Sequence, residues 1–467
     1  MTTIVTAFSP GTRRGFELLL IVAAVVVSCA AYALVGLGVD GTLPVRLLAI
    51  GGGLLGLGVA LHLVVRFAAP YADPVIVPIA LLVNGLGLVM IHRLDLADGT
   101  SLAVRQLGAA AISIVVAGIV LVVLRDHRRL RARTYTAMVV GLVLLLLPLV
   151  PGLGRQVNGA RIWIDLGVTT FQPAELGKIA IIVFFAGYLV VARDTLSLVG
   201  PKVLGLRLPR ARDLGPILVA WLASVGVLVF ERDLGTSLLF FGIFVAMLYV
   251  ATERVSWIVI GLGLFVAGCA VAYQLFGHVQ NRVRVWLDPF DPELIDAPGG
   301  SYQVVQGLYG MADGGLLGTG LGRGSPDIVP FAESDFIFAA LGEELGLAGL
   351  FAILVLYGIL VQRGLRTAIG VRDGFGKLLA AGLAFSIALQ VFVVAGGVTG
   401  VIPLTGLTMP FLAYGGSSLL GSWIVVALLL RVSDLARRPD LPPARPGAAL
   451  APASPQDENP TQVVRLP

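Results

Sequence analysis

Charge is scarce in this chain. Of its 467 residues, 13% are Asp, Glu, Lys or Arg, while 57% are hydrophobic. Soluble domains carry about 25% charged residues, so a soluble core of this length is excluded. Cysteine is scarcer still. Cys29 and Cys269 both fall inside apolar runs and form no CxxC pair, which excludes a disulfide framework and a thiol-built metal site. The four histidines, His62, His92, His127 and His278, are scattered without HExxH spacing. The glycine-rich stretch 314–322 lacks GxGxxG, because Arg323 stands where the last glycine is needed, and no strand-like run precedes it. A dinucleotide site is excluded. A cleavable leader is missing too. Arg13 and Arg14 precede an apolar run over 16–35 that is too long for a leader's core, and a second run follows almost at once.

What is abundant is apolar sequence in membrane-length runs. A bilayer core takes about 20 apolar residues, and twelve such runs are predicted: 16–36, 44–65, 74–93, 102–124, 134–150, 173–192, 214–230, 233–251, 255–276, 336–362, 376–399 and 408–432. The fold class is an all-α polytopic membrane protein. Basic residues sort into alternate loops: Arg125 to Arg133, Lys202 to Arg212, Arg254, and Arg363 to Arg372, with both termini on the same side. The positive-inside rule makes that side cytoplasmic. The net charge of +5 therefore reflects topology and not a nucleic-acid partner. The other side receives a long segment, 277–335, far above the usual loop length of about 4–6 residues. Its aromatic residues, Trp286, Phe290, Tyr302, Tyr309 and Phe331, predict that it folds onto the membrane surface. The organisation expected is an N-terminal two-helix addition over 1–70, a membrane core over 71–435, and a Pro- and Ala-rich disordered tail over 436–467.

The long segment holds the densest polar chemistry: Arg282, Arg284, Asp288, Asp291, Asp296, Tyr302, Gln303, Glu333 and Asp335. Guanidinium groups grip diphosphates with bidentate geometry, and a carboxylate can act as general base toward a sugar hydroxyl. Asp-Pro and Gly-Gly pairs are equally at home in ordinary turns. A second outer stretch brings Arg161, then Gln172, Glu175 and Lys178. The last two are three apart, on one helix face. Ionisable groups inside a span are costly and default to function; the alternative is a mutual ion pair that holds helices together. Asp233 opens a span and suits a helix cap as well as a substrate contact. Glu343 and Glu344 lie inside the tenth run, where each calls for an Arg or Lys on another helix. The interrupted segment around Pro403 and Pro410, followed by Ser417 and Ser418, suits a cavity lining.

These motifs, in order, resemble the SEDS family of shape, elongation, division and sporulation proteins. They are Gly159-Ala160-Arg161-Ile162-Trp163-Ile164, Gln172-Pro173-Ala174-Glu175-Leu176-Gly177-Lys178, Asp233-Leu234-Gly235-Thr236, Tyr302-Gln303, Asp335-Phe336-Ile337-Phe338-Ala339, Gly342-Glu343-Glu344-Leu345-Gly346, Thr408-Met409-Pro410-Phe411 and Tyr414-Gly415-Gly416-Ser417-Ser418. The resemblance covers roughly residues 75–435. It implies a ten-span core and peptidoglycan glycosyltransferase activity, in which an undecaprenyl-diphosphate-linked disaccharide (lipid II) is polymerised into glycan strands. A lipid II flippase is the alternative. The implied setting is the bacterial inner membrane, with membrane lipid and a class B penicillin-binding transpeptidase as partners. No cofactor is evident, and a divalent cation (Mg or Mn) is an open expectation. The form of the motifs leans toward an elongation-type member from a high-GC actinobacterium. The family's key carboxylate is an Asp in an Asp-Pro pair shortly before Gly-Tyr-Gln. Here Asp291-Pro292 keeps the pair but stands eleven residues before Tyr302, whereas Asp296 keeps the six-residue spacing and is followed by Ala297. Asp296, Asp291 and Asp288 remain the candidates, in that order.

Overall fold

A computed structural model describes residues 12–439, apart from 158–159, 166, 168–169, most of 197–232, and 298. The predicted span 214–230 lies largely outside the described residues, and the tail beyond 439 lies wholly outside them.

The chain runs through α1 (Arg14–Val39), α2 (Leu47–Ala68), α3 (Ile76–Asp98), α4 (Leu102–Val123), a short α5 (Arg128–Arg131) and α6 (Thr134–Leu146). A small antiparallel sheet follows: β1 (Gly154–Val157), β2 (Ala160–Asp165) and β3 (Thr170–Phe171). Then come α7 (Ala174–Leu196), α8 (Leu234–Thr252) and α9 (Val255–Leu275). The long segment folds as α10 (Gly277–Leu287), α11 (Pro292–Ile295) and α12 (Tyr302–Gly314). The chain closes with α13 (Ile337–Gly370), α14 (Gly374–Val398) and α15 (Gly416–Arg437). Among the described residues, ten helices are long and apolar enough to cross a membrane. They match ten of the twelve predicted runs, and α6 is a shorter apolar helix.

Burial separates the bundle into centre and rim. Helices α3, α14 and α15 are buried along most of their length, whereas α2 and α9 are buried along only a minor part of theirs. In lipid, helices associate through close packing of small residues. At Gly87 of α3 a Cβ would fall 2.3 Å from the Leu412 carbonyl oxygen, and at Gly187 of α7 it would strike Thr134. Helices α1 and α2 pack on α3 and α4 at the flank of this bundle.

Two predicted boundaries fail for physical reasons. The last helix starts at Gly416 and not at 408. Pro403 and Pro410 cannot donate backbone hydrogen bonds, and Gly406 (φ 77°) and Phe411 (φ 65°) take left-handed conformations. The chain therefore stays irregular from 401 to 415, exposed at Val401 and Gly406 and buried in protein at Leu407 and over 409–413. The tenth run extends to Gly370, and it breaks at Gly346 (φ 67°, ψ −175°).

The glycine-rich stretch repairs that break. Thr319 and Gly320 donate backbone N–H groups to the Glu343 and Glu344 carbonyls, both at 3.0 Å. Leu347 and Ala348 in turn donate to Gly315 (2.9 Å) and Leu316 (3.0 Å). A Cβ at Gly318 would lie 2.2 Å from the Glu344 carbonyl oxygen, and one at Gly346 would lie 2.3 Å from the Gly318 nitrogen. The glycines thus let one backbone lie against another where a broken helix would otherwise leave polar groups unpaired.

Candidate active site

The intramembrane part of the site starts at the first turn of α7. Lys178 and Glu175 are both 6% exposed. Lys178 Nζ donates to Glu175 Oε2 at 2.8 Å and to Gln390 Oε1 of α14 at 2.8 Å. Gln390 passes the chain on, donating through Nε2 to the Thr408 carbonyl at 2.9 Å. Thr408 and Ser418 join hydroxyls at 3.0 Å, and the Gln172 N–H donates to Ser417 Oγ at 2.9 Å. One polar thread therefore links α7, α14, the irregular segment and the start of α15.

Sequence reasoning missed Gln390, although it is only 1% exposed. It sits alone in an apolar run and carries no charge, so a search for ionisable groups passes over it. Its signal is the single amide in Leu389-Gln390-Val391.

A second group meets at the same irregular segment. Asp233 caps α8, its carboxylate accepting from the Thr236 N–H at 2.9 Å and the Thr236 hydroxyl at 2.6 Å. Arg282 of α10 donates to the Leu404 carbonyl at 2.8 Å. Its guanidinium lies in the field of both Asp233 and Asp335. Burial pushes the carboxyls of Asp233 and Asp335 up from the usual range, against the pull of Arg282 and their hydrogen bonds. Burial likewise lowers the Arg282 guanidinium from its ordinary value, and raises Glu333. Capping at Asp233 is thus realised, with Arg282 acting on it through its field.

Helix α10 joins this buried group to the exposed acids. Next to Arg282, Asn281 donates to the Gly299 carbonyl at 2.8 Å. Trp286 donates to the Gly400 carbonyl at 2.8 Å, holding the helix across the end of α14. Asp288 caps its far end and is exposed. Asp291 is half-buried and spends one oxygen on the Glu293 N–H at 3.0 Å, capping α11. Asp296 ends α11, is exposed, and has no hydrogen-bonding or ionic partner among the described residues.

The remaining predicted residues divide. Tyr302 opens α12 and is 43% exposed, and Gln303 donates to the Pro330 carbonyl at 2.7 Å. Arg284 is exposed, and Arg161 projects from β2, also exposed; neither joins the buried group. Glu343 departs from expectation. Glu344 pairs with Arg93 of α3 at 2.9 Å, as buried acids require, but Glu343 accepts from the Ser325 N–H at 2.5 Å and has no ion pair within the described residues. The backbone just after the glycine-rich stretch lays the Ser325 N–H beside Glu343, and the stretch itself lays the Gly322 N–H beside Glu344 at 3.0 Å. Among the described residues no group of three metal-ligating side chains converges, so no preassembled protein cage for a metal is present there.

The comparisons agree with one another. A family profile described as "Cell cycle protein" (FTSW_RODA_SPOVE) matches residues 74–438. The chain is 51% identical over 435 residues to the peptidoglycan glycosyltransferase RodA of Mycobacterium bovis, covering 92% of each chain. It is 35% identical to the stage V sporulation protein E of Bacillus subtilis, over 78% of this chain and 98% of that one. Among solved structures it is similar to the rod-shape-determining protein RodA of Thermus thermophilus (TM-score 0.54, 25% identity, 78% and 96% coverage). It is also similar to a chain of a peptidoglycan synthase complex that coordinates polymerization and crosslinking (TM-score 0.53, 27% identity, 82% and 96% coverage).

Proposed function

The chain belongs to the FtsW/RodA/SpoVE (SEDS) family of multi-pass membrane proteins, and from that premise we propose how it works as a peptidoglycan glycosyltransferase. It polymerises a lipid-linked disaccharide precursor into glycan strands at the membrane face that bears residues 277–335. Both termini lie on the opposite, cytoplasmic side, in keeping with the sorting of basic loops. The observation that carries the mechanism is the uncommitted carboxylate of Asp296, tethered through Gly299 and Asn281 to the helix that carries Arg282.

In this reading Asp296 takes the proton from the acceptor sugar's 4-hydroxyl. That oxygen attacks the anomeric carbon of the donor; the C–O bond to the diphosphate breaks, and the diphosphate leaves on its polyprenyl chain. Arg282 and Lys178 oppose the leaving group's charge, because both hold donors beyond those their protein partners use. Mg²⁺ or Mn²⁺ arriving with the diphosphate needs only one or two carboxylates of the protein. Close similarity to mycobacterial RodA favours elongation over division. Similarity to a subunit of a polymerising and crosslinking complex supports a class B penicillin-binding transpeptidase as partner.

The test is glycan-strand synthesis by purified protein from lipid-linked precursor. Asp296→Asn is expected to lower the rate by about 10²–10⁴-fold, the usual worth of a general base. Asp291→Asn, which keeps a capping oxygen, is expected to retain most activity. Full polymerisation by Asp296→Asn, or scrambling of the precursor without polymerisation by the native chain, defeats the proposal.

A further inference from the structure

A cavity of about 530 Å³ lies between the N-terminal helix pair and the core, bounded by α1, α2, α3 and α4. Its mouth holds Asp40, Arg46, His92 and Asp95. Its deep walls are apolar, with Leu54, Leu88 and Leu107, down to Ser28. From Asp40 to Ser28 is twelve residues of α1, or about 18 Å of helix. One leaflet of the hydrocarbon core is about 15 Å thick, so the slot reaches the depth of one lipid chain. The mouth opens at the end of the bundle where the long segment sits, since a Cβ at Gly38 would come 2.4 Å from the Leu321 carbonyl oxygen.

The mouth's charges select the headgroup. Arg46 and Asp40 are both exposed, and neither side chain has a hydrogen bond or ion pair among the described residues. Asp95 accepts from the Leu102 and Ala103 N–H groups at 2.8 and 2.7 Å, capping α4. His92 stacks on Tyr32, ring centroids 4.5 Å apart. One guanidinium therefore faces two carboxyl side chains at the mouth. A diphosphate or a net-anionic phospholipid meets net repulsion here. A zwitterion with a phosphate and a primary ammonium does not, because a guanidinium grips phosphate and a carboxylate accepts from ammonium.

We propose that this slot binds one aminophospholipid, its phosphate on Arg46, its ammonium on Asp40 and one acyl chain between the helix pair and the core. The occupant is a structural lipid that mortars α1 and α2 to the bundle, apart from the polymerising site.

The experiment is native mass spectrometry of the full chain after exchange into micelles doped equally with phosphatidylethanolamine, phosphatidylglycerol and undecaprenyl diphosphate. The unmodified chain is expected to retain one phosphatidylethanolamine about tenfold over either competitor, the worth of one charged hydrogen bond. Arg46→Glu and the slot-filling Ala49→Trp are each expected to cut that retention about tenfold, with size-exclusion profiles unchanged. Equal or preferred retention of either competitor by the unmodified chain overturns the proposal without any variant having to fold. Undiminished retention in a well-folded Ala49→Trp protein overturns it as well. Strand synthesis is not the readout, so failure here is separable from failure of the catalytic reading.

Discussion

The pair Glu175–Lys178 allows a structural role to be separated from a catalytic one. Replacing Lys178 by Met strands a carboxylate that is 6% exposed and now has no cation beside it. Breaking one side of such a pair costs about 3–5 kcal/mol. Replacing both residues, in Glu175→Leu/Lys178→Met, removes the stranded charge. What remains is the lost partner of Gln390, worth about 1 kcal/mol, partly offset by the desolvation that no longer has to be met. The double variant should therefore lie within about 1–2 kcal/mol of the native protein, a coupling energy of at least about 2 kcal/mol. A chain of this length shifts its melting point on the order of 1–2 °C per kcal/mol. Thermal unfolding in micelles should then show the single variant about 3–10 °C lower and the double variant largely recovered. Under the proposed mechanism strand synthesis should be lost in both, because the lysine proposed to oppose the diphosphate is gone. If the double variant melts as low as the single one, the buried-charge argument is wrong. If it polymerises normally, Lys178 has no part in the chemistry.

Two further perturbations test other parts of the fold. Gly318→Val places side-chain atoms against the Glu344 carbonyl at a φ of 84°, and should cost more than about 2 kcal/mol; an unchanged melting point would refute the backbone-to-backbone join. At the opposite face, the Asp373 carboxylate is held at about 2 chiefly by hydrogen bonds from His127 and the Gly376 N–H, against burial. A depressed acid stabilises the fold above its unfolded value near 4 and loses that contribution as pH falls toward 2. Discounted for its partial exposure, Asp373→Asn should cost about 1 kcal/mol at pH 7, with the gap closing below about pH 4; a gap independent of pH would contradict this.

The spans and their order were legible because hydropathy over some twenty residues integrates many weak preferences into one signal. The irregular stretch 401–415 was legible only as an interruption. Composition located Pro403 and Pro410, but the left-handed turn at Phe411 depends on tertiary packing. Charge flagged Glu175, Lys178, Asp233 and Arg282, and the structure gathers these onto two polar groups that share one irregular segment. It could not flag Gln390, whose importance arises only when a lysine from another helix arrives. Glu343 and Glu344 look equivalent in sequence and end with different partners, because Arg93 of α3 and the Gly322 N–H reach Glu344 whereas the Ser325 N–H reaches Glu343.

The glycine-rich stretch that meets them has a consequence for how the protein can vary. Four of its bonds run from main chain to main chain across the break at Gly346, and the side chains of Thr319, Glu343 and Glu344 add to the join. The exposed Leu316 and Leu317 can drift, while the surface they paint is retuned for new neighbours. The glycines themselves are mechanical fittings: enlarge one, and a membrane crossing loses its splice.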